Sequence, residues 1–254
     1  VAFGPATGSH VRRWRREPWV VMSAVPSFAG TRLIATLAPL YQRIRYQDFP
    51  FIADAELPAV LLVFAQRSDE ESFWRRLGGL LGITIQHPSK DYSGGASMGI
   101  GVTWVEAQAP QLFEISIHEA THALTYQLFE LDRIPSWFSE GLATHYQWLA
   151  EPQDLGPQVA AARATRTMPS LTDLMAASTI PSHGYLPAGL LIGWLLDDPL
   201  RRSQLAVLYA EASKGQRVDL RVLLEKNTGL AIDALEVQWR GWLDQRFPRP
   251  RPRR

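Results

Sequence analysis

The feature that most constrains the fold is a proline-free segment, Gln111 to Ile134, that contains the pattern His-Glu-x-x-His. Its apolar residues recur at helical spacing and predict one long helix. Residues four apart on a helix differ by about 40° in azimuth and ~6 Å along the axis. His118 and His122 therefore project from one side, at a separation that lets two imidazoles share a zinc ion. Glu119 lies one step round, where it can take a proton from a water without being a ligand. The predicted apolar face consists of Leu112, Ile115, Ala120, Ala123, Leu124 and Leu128.

A third ligand is needed, because catalytic zinc usually takes three protein ligands and leaves a fourth position open. Pro135-Ser136 predicts the start of a second helix with Ser136 as its N-cap. The chain from Phe129 to Pro135 is long enough to turn back. A second helix packed beside the first would place Glu140 in its first turn, where it could point at the metal.

These residues carry a resemblance. His-Glu-Ala-Thr-His from His118, a spacer, and then Pro-x-Trp-x-x-Glu-Gly-Leu-Ala from Pro135 resemble the peptidase MA-like family of bacterial zinc metallopeptidases, a gluzincin branch. The specific part covers His118 to Tyr146. The resemblance implies a zincin fold and one zinc per chain, bound by His118, His122 and Glu140. It also implies hydrolysis of peptide or protein substrates with Glu119 as general base.

The resemblance also suggests a donor for the oxyanion of the reaction. Related gluzincins take it from the helical lobe, and Tyr185 matches the family's aromatic residue at the start of a long apolar helix. His183 is the nearby substitute. Some gluzincins carry Asp four residues after the ligand Glu, whereas this chain has Thr144 there.

The type of peptidase follows from the glycine-rich stretch before the metal helix. Gluzincin aminopeptidases carry an acidic residue there to hold the substrate amine, and residues 95–100 contain none. This favours an endopeptidase. The alternative is a zinc-binding pseudopeptidase that acts as a binding or scaffold protein, and the intact Glu119 favours the enzyme.

The order of predicted elements indicates an α+β chain. We expect a zincin-like fold with a small mixed-sheet lobe, a helical C-terminal lobe, and the metal helix between them. The predicted domains are a basic segment (1–18), a catalytic lobe (19–150), a helical lobe (151–247) and a disordered Arg/Pro tail (248–254). The predicted strands are 19–25, 58–65, 83–86 and 100–106, and the predicted helices outside the motif are 28–49, 68–78, one capped by Ser170 and Asp173, 185–196, 199–212, 220–225 and 232–247.

The strand that begins at Ile100 allows two interpretations. In zincins, the strand ahead of the metal helix forms a sheet edge and receives the substrate backbone. A plain hairpin fits the glycine-rich turn from Asp91 to Gly99 equally well. The sequence allows both interpretations.

Composition excludes several classes of function. The chain of 254 residues has no cysteine, which rules out disulfides, iron–sulfur clusters and thiol catalysis. The net charge of +1 hides arginine-rich ends, and no nucleic-acid binding is expected from the body of the chain. The most apolar run, Tyr185 to Leu196, is too short to span a membrane. Both an extracytoplasmic location after signal removal and a cytoplasmic one remain open for a bacterial protein of this kind.

Overall fold

The fold of the chain is mixed α+β, as predicted. A computed structural model describes residues 11–82, 94–97, 100–104, 111–129, 135–177, 179–213 and 219–248. The chain divides into two compact units. The first comprises Val1–Gln47 and Ile52–Leu128, and the second comprises Asp48–Phe51 and Phe129–Arg254.

The first unit contains a mixed β-sheet. Its strands are β1 (Arg12–Arg16), β2 (Trp19–Ser23), β3 (Ala59–Phe64), β4 (Gly94–Ser97) and β5 (Ile100–Trp104), in the spatial order β1-β2-β3-β5-β4. The three middle strands run parallel, and both edge strands pair antiparallel to their neighbours. The predicted strands at 19–25 and 58–65 are confirmed.

The structure decides between the two interpretations of the strand at Ile100. β5 lies between β3 and β4, so it is an inner strand and the edge interpretation is wrong. The hairpin interpretation is confirmed, because the glycine-rich residues of β4 pair antiparallel with β5. Arg12–Arg16, predicted within a basic segment outside the lobes, form the opposite edge of the sheet. The predicted strand 83–86 lies outside the described residues.

Helices cover both faces of this sheet. They are α1 (Gly30–Gln42), which continues as a π-helical turn (Arg43–Asp48), α2 (Arg67–Leu81) and α3 (Leu112–Phe129), whose last residue belongs to the second unit. On one face, Leu62 and Val102 pack with Trp74 of α2. The alternation of side chains along a strand sends Leu61 and Gly101 to the other face, where Gly101 approaches Glu119 of α3.

Two predictions about α2 are wrong. Ser68 is not the N-cap, because the helix begins at Arg67 after Gln66 and has no side-chain cap. The helix also runs through Gly78 and Gly79 and ends at Gly82, which has φ of +67°. Only the third of these glycines takes the left-handed conformation that ends a helix, which residue counting does not reveal.

The second unit is helical in the part that the structure describes. Its helices are α4 (Ser136–Ala150), α5 (Gly156–Ala164), α6 (Leu171–Ala176), α7 (Tyr185–Leu196), α8 (Pro199–Ser213), α9 (Leu220–Thr228) and α10 (Ile232–Arg246). The bounds of α7 agree with the prediction, and the Ser170 cap is confirmed by its bond from the Asp173 N–H at 3.0 Å. The predicted domains divide the chain after residue 150, whereas the compact units divide it after Leu128.

The close packing of α4 on α7 explains why α4 belongs to the helical unit. A Cβ atom built on Gly141 would lie 2.8 Å from the Ala188 carbonyl oxygen, and one on Gly189 would lie 2.8 Å from the Trp148 ring. Only glycine allows the two backbones to approach this closely. Trp137, Trp194 and Trp239 are fully buried in the same unit.

None of the described helices has both the length and the apolar character that a membrane span requires. The helix with the most apolar sequence, α7, has 12 residues.

Candidate metal centre

The helix that carries the His-Glu-x-x-His pattern is buried nearly all round. Every residue from Ser116 to Thr121 is buried, including the polar ones. The buried hydroxyl groups are satisfied within the helix, because Ser116, Thr121 and Thr125 each donate to the carbonyl oxygen four residues earlier, at 2.7–2.8 Å. The predicted helix is confirmed. The prediction of a single apolar face is wrong, because the buried residues are not confined to one side of the helix.

A close backbone contact sets the position of this helix against the sheet. A Cβ atom on Gly101 would lie 2.4 Å from the carbonyl oxygen of Glu119 and 3.2 Å from the Leu61 side chain. The absence of a side chain at Gly101 therefore lets α3 approach β5 at the residue between the two histidines of the pattern. A glycine inside a strand is the sequence signal for such an approach, and our sequence analysis did not use it.

The two histidines converge. Their Nε2 atoms lie 3.1 Å apart and their ring centroids 4.8 Å apart. His118 is buried, with 8% of its surface exposed, and His122 is half-buried. The predicted projection of both imidazoles from one side of the helix is therefore present in the structure.

Glu140 completes a group that could hold a metal ion. One ligand atom each from His118, His122 and Glu140 can be chosen so that all lie within 4.8 Å of one another. Glu140 lies in the second turn of α4 and not in the predicted first turn, because the helix begins at Ser136, and its side chain is half-buried. No other group of three or more such side chains occurs in the part of the chain that the structure describes.

The donor set fits zinc. Two imidazole nitrogens and a carboxylate oxygen are a set of three protein ligands that catalytic zinc takes. Nitrogen ligands at about 2.05 Å from a tetrahedral ion are roughly 3.3 Å apart, close to the separation of the two Nε2 atoms. A carboxylate in the same group supplies the negative charge that a divalent cation needs.

The predicted general base lies beside the ligands. Glu119 is a buried carboxylate on the same turn of α3, with 7% of its surface exposed, and it is not part of the ligand group. A buried carboxylate is costly unless it is hydrogen-bonded or serves a charged partner. This position suits a proton acceptor next to the three ligands.

The predicted oxyanion donors lie in the segment that leads into α7. Tyr185 is the first residue of α7 and is half-buried, whereas His183 lies in a short 3₁₀ turn and is exposed. The chain contacts α4 on either side of these two residues. The Ile180 N–H donates to Ser136 Oγ at 3.3 Å, and Ala188 meets Gly141. Both residues therefore lie alongside the first two turns of α4, which contain Glu140.

The first of these contacts corrects a prediction. Ser136 is not an N-cap, because Pro135 takes that position and no side-chain cap bond forms. The Ser136 hydroxyl oxygen instead accepts the bond from Ile180. Because Ile180 is distant in sequence, the residues around Ser136 cannot predict this hydrogen bond.

Two polar residues after Glu140 do not join the ligand group. His145, rejected as a ligand because it is rotated away from Glu140, packs its ring against Tyr146 at 5.3 Å and lies beside Gly193. The Thr144 hydroxyl is buried, and among the described residues it has no hydrogen-bond partner. The aspartate that some gluzincins carry at this position therefore has no hydrogen-bonding counterpart here.

Comparison with known proteins gives no match to this chain among protein-family models, curated proteins or solved structures.

Proposed function

We propose that this chain is a zinc-dependent metallopeptidase of the gluzincin type, with a zincin-like fold, that cleaves internal peptide bonds. The observation that carries the proposal is the group formed by His118, His122 and Glu140, with ligand atoms within 4.8 Å of one another. The buried Glu119 directly follows His118 in the sequence. Two histidines and a glutamate as ligands, with the glutamate of the first motif as base, are the arrangement of the gluzincin metallopeptidases. The resemblance of the sequence from His118 to Tyr146 to the peptidase MA-like family supports the same assignment.

His118, His122 and Glu140 would hold one zinc ion per chain. When bound, zinc would supply a water whose pKa is lowered to about 7 and would draw electron density from the scissile carbonyl group. The chain's own residues must then transfer the proton and stabilise the negative charge that develops on the carbonyl oxygen.

Glu119 is the proton carrier in this proposal. Its carboxylate takes a proton from the water as the water oxygen attacks the carbonyl carbon. It then delivers that proton to the nitrogen of the leaving amine when the C–N bond breaks. Burial of Glu119 excludes bulk water, so the proton stays with the carboxylate between the two steps.

Tyr185 is the proposed donor to the carbonyl oxygen as that oxygen becomes negatively charged, with His183 as the substitute. A hydrogen-bond donor that matters mainly in the transition state raises kcat more than it changes KM. The half-buried phenol of Tyr185 is better shielded from water than the exposed imidazole of His183, which favours Tyr185.

Among the described strands, β4 is outermost on its side of the sheet, and the substrate would be an extended peptide that pairs with it. An edge strand has one row of backbone N–H and C=O groups open to pairing, and peptides bind such edges by adding a strand. β4 is joined to β5, whose Gly101 contacts the helix with the two histidines. Pairing along the backbone gives affinity with little demand on sequence, which suits an endopeptidase.

The test is to incubate the zinc-loaded protein with a mixed peptide library and to identify the products by mass spectrometry. Internal cleavage that stops when zinc is chelated, and that the Glu119→Gln variant lacks, is the expected result. If the protein binds zinc but leaves the library intact, as its Glu119→Gln variant does, the site is a binding site and the peptidase proposal is wrong.

A further inference from the structure

A buried hydrogen bond joins the helix of Glu140 to a distant part of the chain. The Tyr146 hydroxyl of α4 donates to Oδ2 of Asp48 at 3.0 Å, across 98 positions of sequence. Asp48 is the last residue of the π-helical turn after α1 and is 1% exposed, and Tyr146 is fully buried. A carboxylate in this environment requires such a partner, because an unpaired buried carboxylate is strongly destabilising. The bond therefore constrains where α4 can lie.

The next residue, Phe49, contacts the helix that carries the two histidines, and that helix in turn contacts the helix of Glu140. Phe49 packs edge to face against Phe129, the last residue of α3, at 4.9 Å. Phe129 in turn packs against Phe138 in the first turn of α4 at 6.3 Å. All three rings are buried. Asp48 and Phe49 thus touch the end of the helix with the two histidines and the helix with Glu140.

The position of Tyr146 around the axis of α4 matters for Glu140. At 100° per residue, Gly141 lies about 100° from Glu140 in one direction and Tyr146 about 120° in the other. Gly141 packs on Ala188 of α7, and Tyr146 is held by Asp48. The helix is supported on both flanks of the Glu140 side chain, so it resists rotation about its own axis.

We infer that Asp48 and Tyr146 are positioning residues for the proposed metal ligand Glu140. The inference rests on the proposed function, since it gives the bond a role in metal binding. Neither residue touches the metal. Their hydrogen bond sets the rotation of α4, and the rotation of α4 sets the direction in which Glu140 presents its carboxylate. Loss of the bond would make Glu140 a weaker ligand while leaving His118 and His122 unchanged.

The test is the dissociation constant for zinc, measured by competition with a chelator at a temperature where every variant is folded. Tyr146→Phe removes one hydroxyl and should raise the constant roughly tenfold, as expected for loss of a bond that orients a ligand. Asp48→Asn keeps an oxygen that accepts the Tyr146 bond, so it should stay within about twofold of the wild type. Trp239→Phe, a buried change on α10 of the same unit, serves as the control for general destabilisation.

A second comparison separates positioning from stability. In a Glu140→Ala background the ligand is already lost, so Tyr146→Phe should cause no further change in the remaining zinc affinity. A purely structural role would lower affinity in both backgrounds, and this result would overturn the inference. Equal affinity of Tyr146→Phe and wild type would also overturn it, while the zinc site itself would stand. If the wild type binds no zinc, the proposed function fails, and this inference fails with it.

Discussion

The Nε2 atoms of His118 and His122 lie 3.1 Å apart on successive turns of one buried helix. Two bare nitrogen lone pairs this close repel each other, so a proton or a cation between them would stabilise the pair. With a carboxylate oxygen of Glu140 added, the ligand atoms of the three side chains lie within 4.8 Å of one another and could hold a metal ion.

The first prediction concerns metal content. The purified chain should bind one zinc, and His122→Ala or Glu140→Ala should lose most of it because each removes one of three ligands. Metal analysis after dialysis measures this. His145→Ala is the matched control, since His145 follows on the same helix but is outside the ligand group, and it should keep full zinc. Full zinc in the Glu140 variant would rule out the gluzincin assignment.

The second prediction concerns Glu119. Glu119→Gln should keep the fold and the zinc, because Glu119 is not a ligand, but should lose several orders of magnitude in the rate of peptide cleavage, since an amide cannot accept the proton. Rates with a cleaved library peptide, together with metal analysis, provide the check. A rate near that of the wild type would mean that Glu119 is not the base.

The third prediction distinguishes the two candidate donors. Tyr185→Phe removes only the hydroxyl and should lower kcat by about a hundredfold, or roughly 3 kcal/mol, with little change in KM. Steady-state kinetics of Tyr185→Phe and His183→Ala at equal zinc content decide the assignment. A large loss of kcat in the His183 variant with normal kcat in the Tyr185 variant would transfer the role to His183.

The fourth prediction concerns the contact of Gly101 with α3. Gly101→Ala places a Cβ 2.4 Å from the Glu119 carbonyl, so the helix must move, and the free energy of unfolding should fall by about 3 kcal/mol. Denaturant unfolding followed by circular dichroism measures the loss. Gly79→Ala is the control, because nothing lies within 4 Å of that exposed helical position. It should raise stability by about 0.5–1 kcal/mol, and a neutral Gly101 variant would contradict the close packing.

The fifth prediction concerns acid stability. Hydrogen bonding from Tyr41, followed by the charge of Arg45 and a bond from Tyr46, lowers the pKa of Asp54 below its ordinary 3.8 despite an opposing effect of desolvation. A carboxylate with a lowered pKa stabilises the fold above about pH 4 and loses that contribution as pH falls through its folded-state value. The Tm of Asp54→Asn should therefore lie below that of the wild type at pH 7 and converge with it near pH 2.

The measurement for this prediction is thermal unfolding across pH 2–7. Glu56→Gln, a charge change two residues away on the same exposed segment, is the control and should follow the wild-type pH profile. A constant Tm difference between Asp54→Asn and wild type over the whole range would contradict the prediction.

Local patterns in the sequence determined much of this protein. The helix of His118 and His122, the bounds of α7 and the Ser170 cap depend on residues within a few turns of one another, so periodicity and capping rules were enough to predict them. The sequence also singled out Glu140, because its spacing from the histidines places it near the start of the next helix. The α+β class followed from the order of the elements.

The tertiary structure decided the features that depend on residues far apart in the chain. The inner position of β5 depends on pairing with β4, and the failure of Ser136 as a cap depends on Ile180. The bond from Tyr146 to Asp48 joins residues that are 98 positions apart in the sequence. In each case several groups could pair with the same backbone or hydroxyl group. Only the folded chain brings the actual partner within hydrogen-bonding distance.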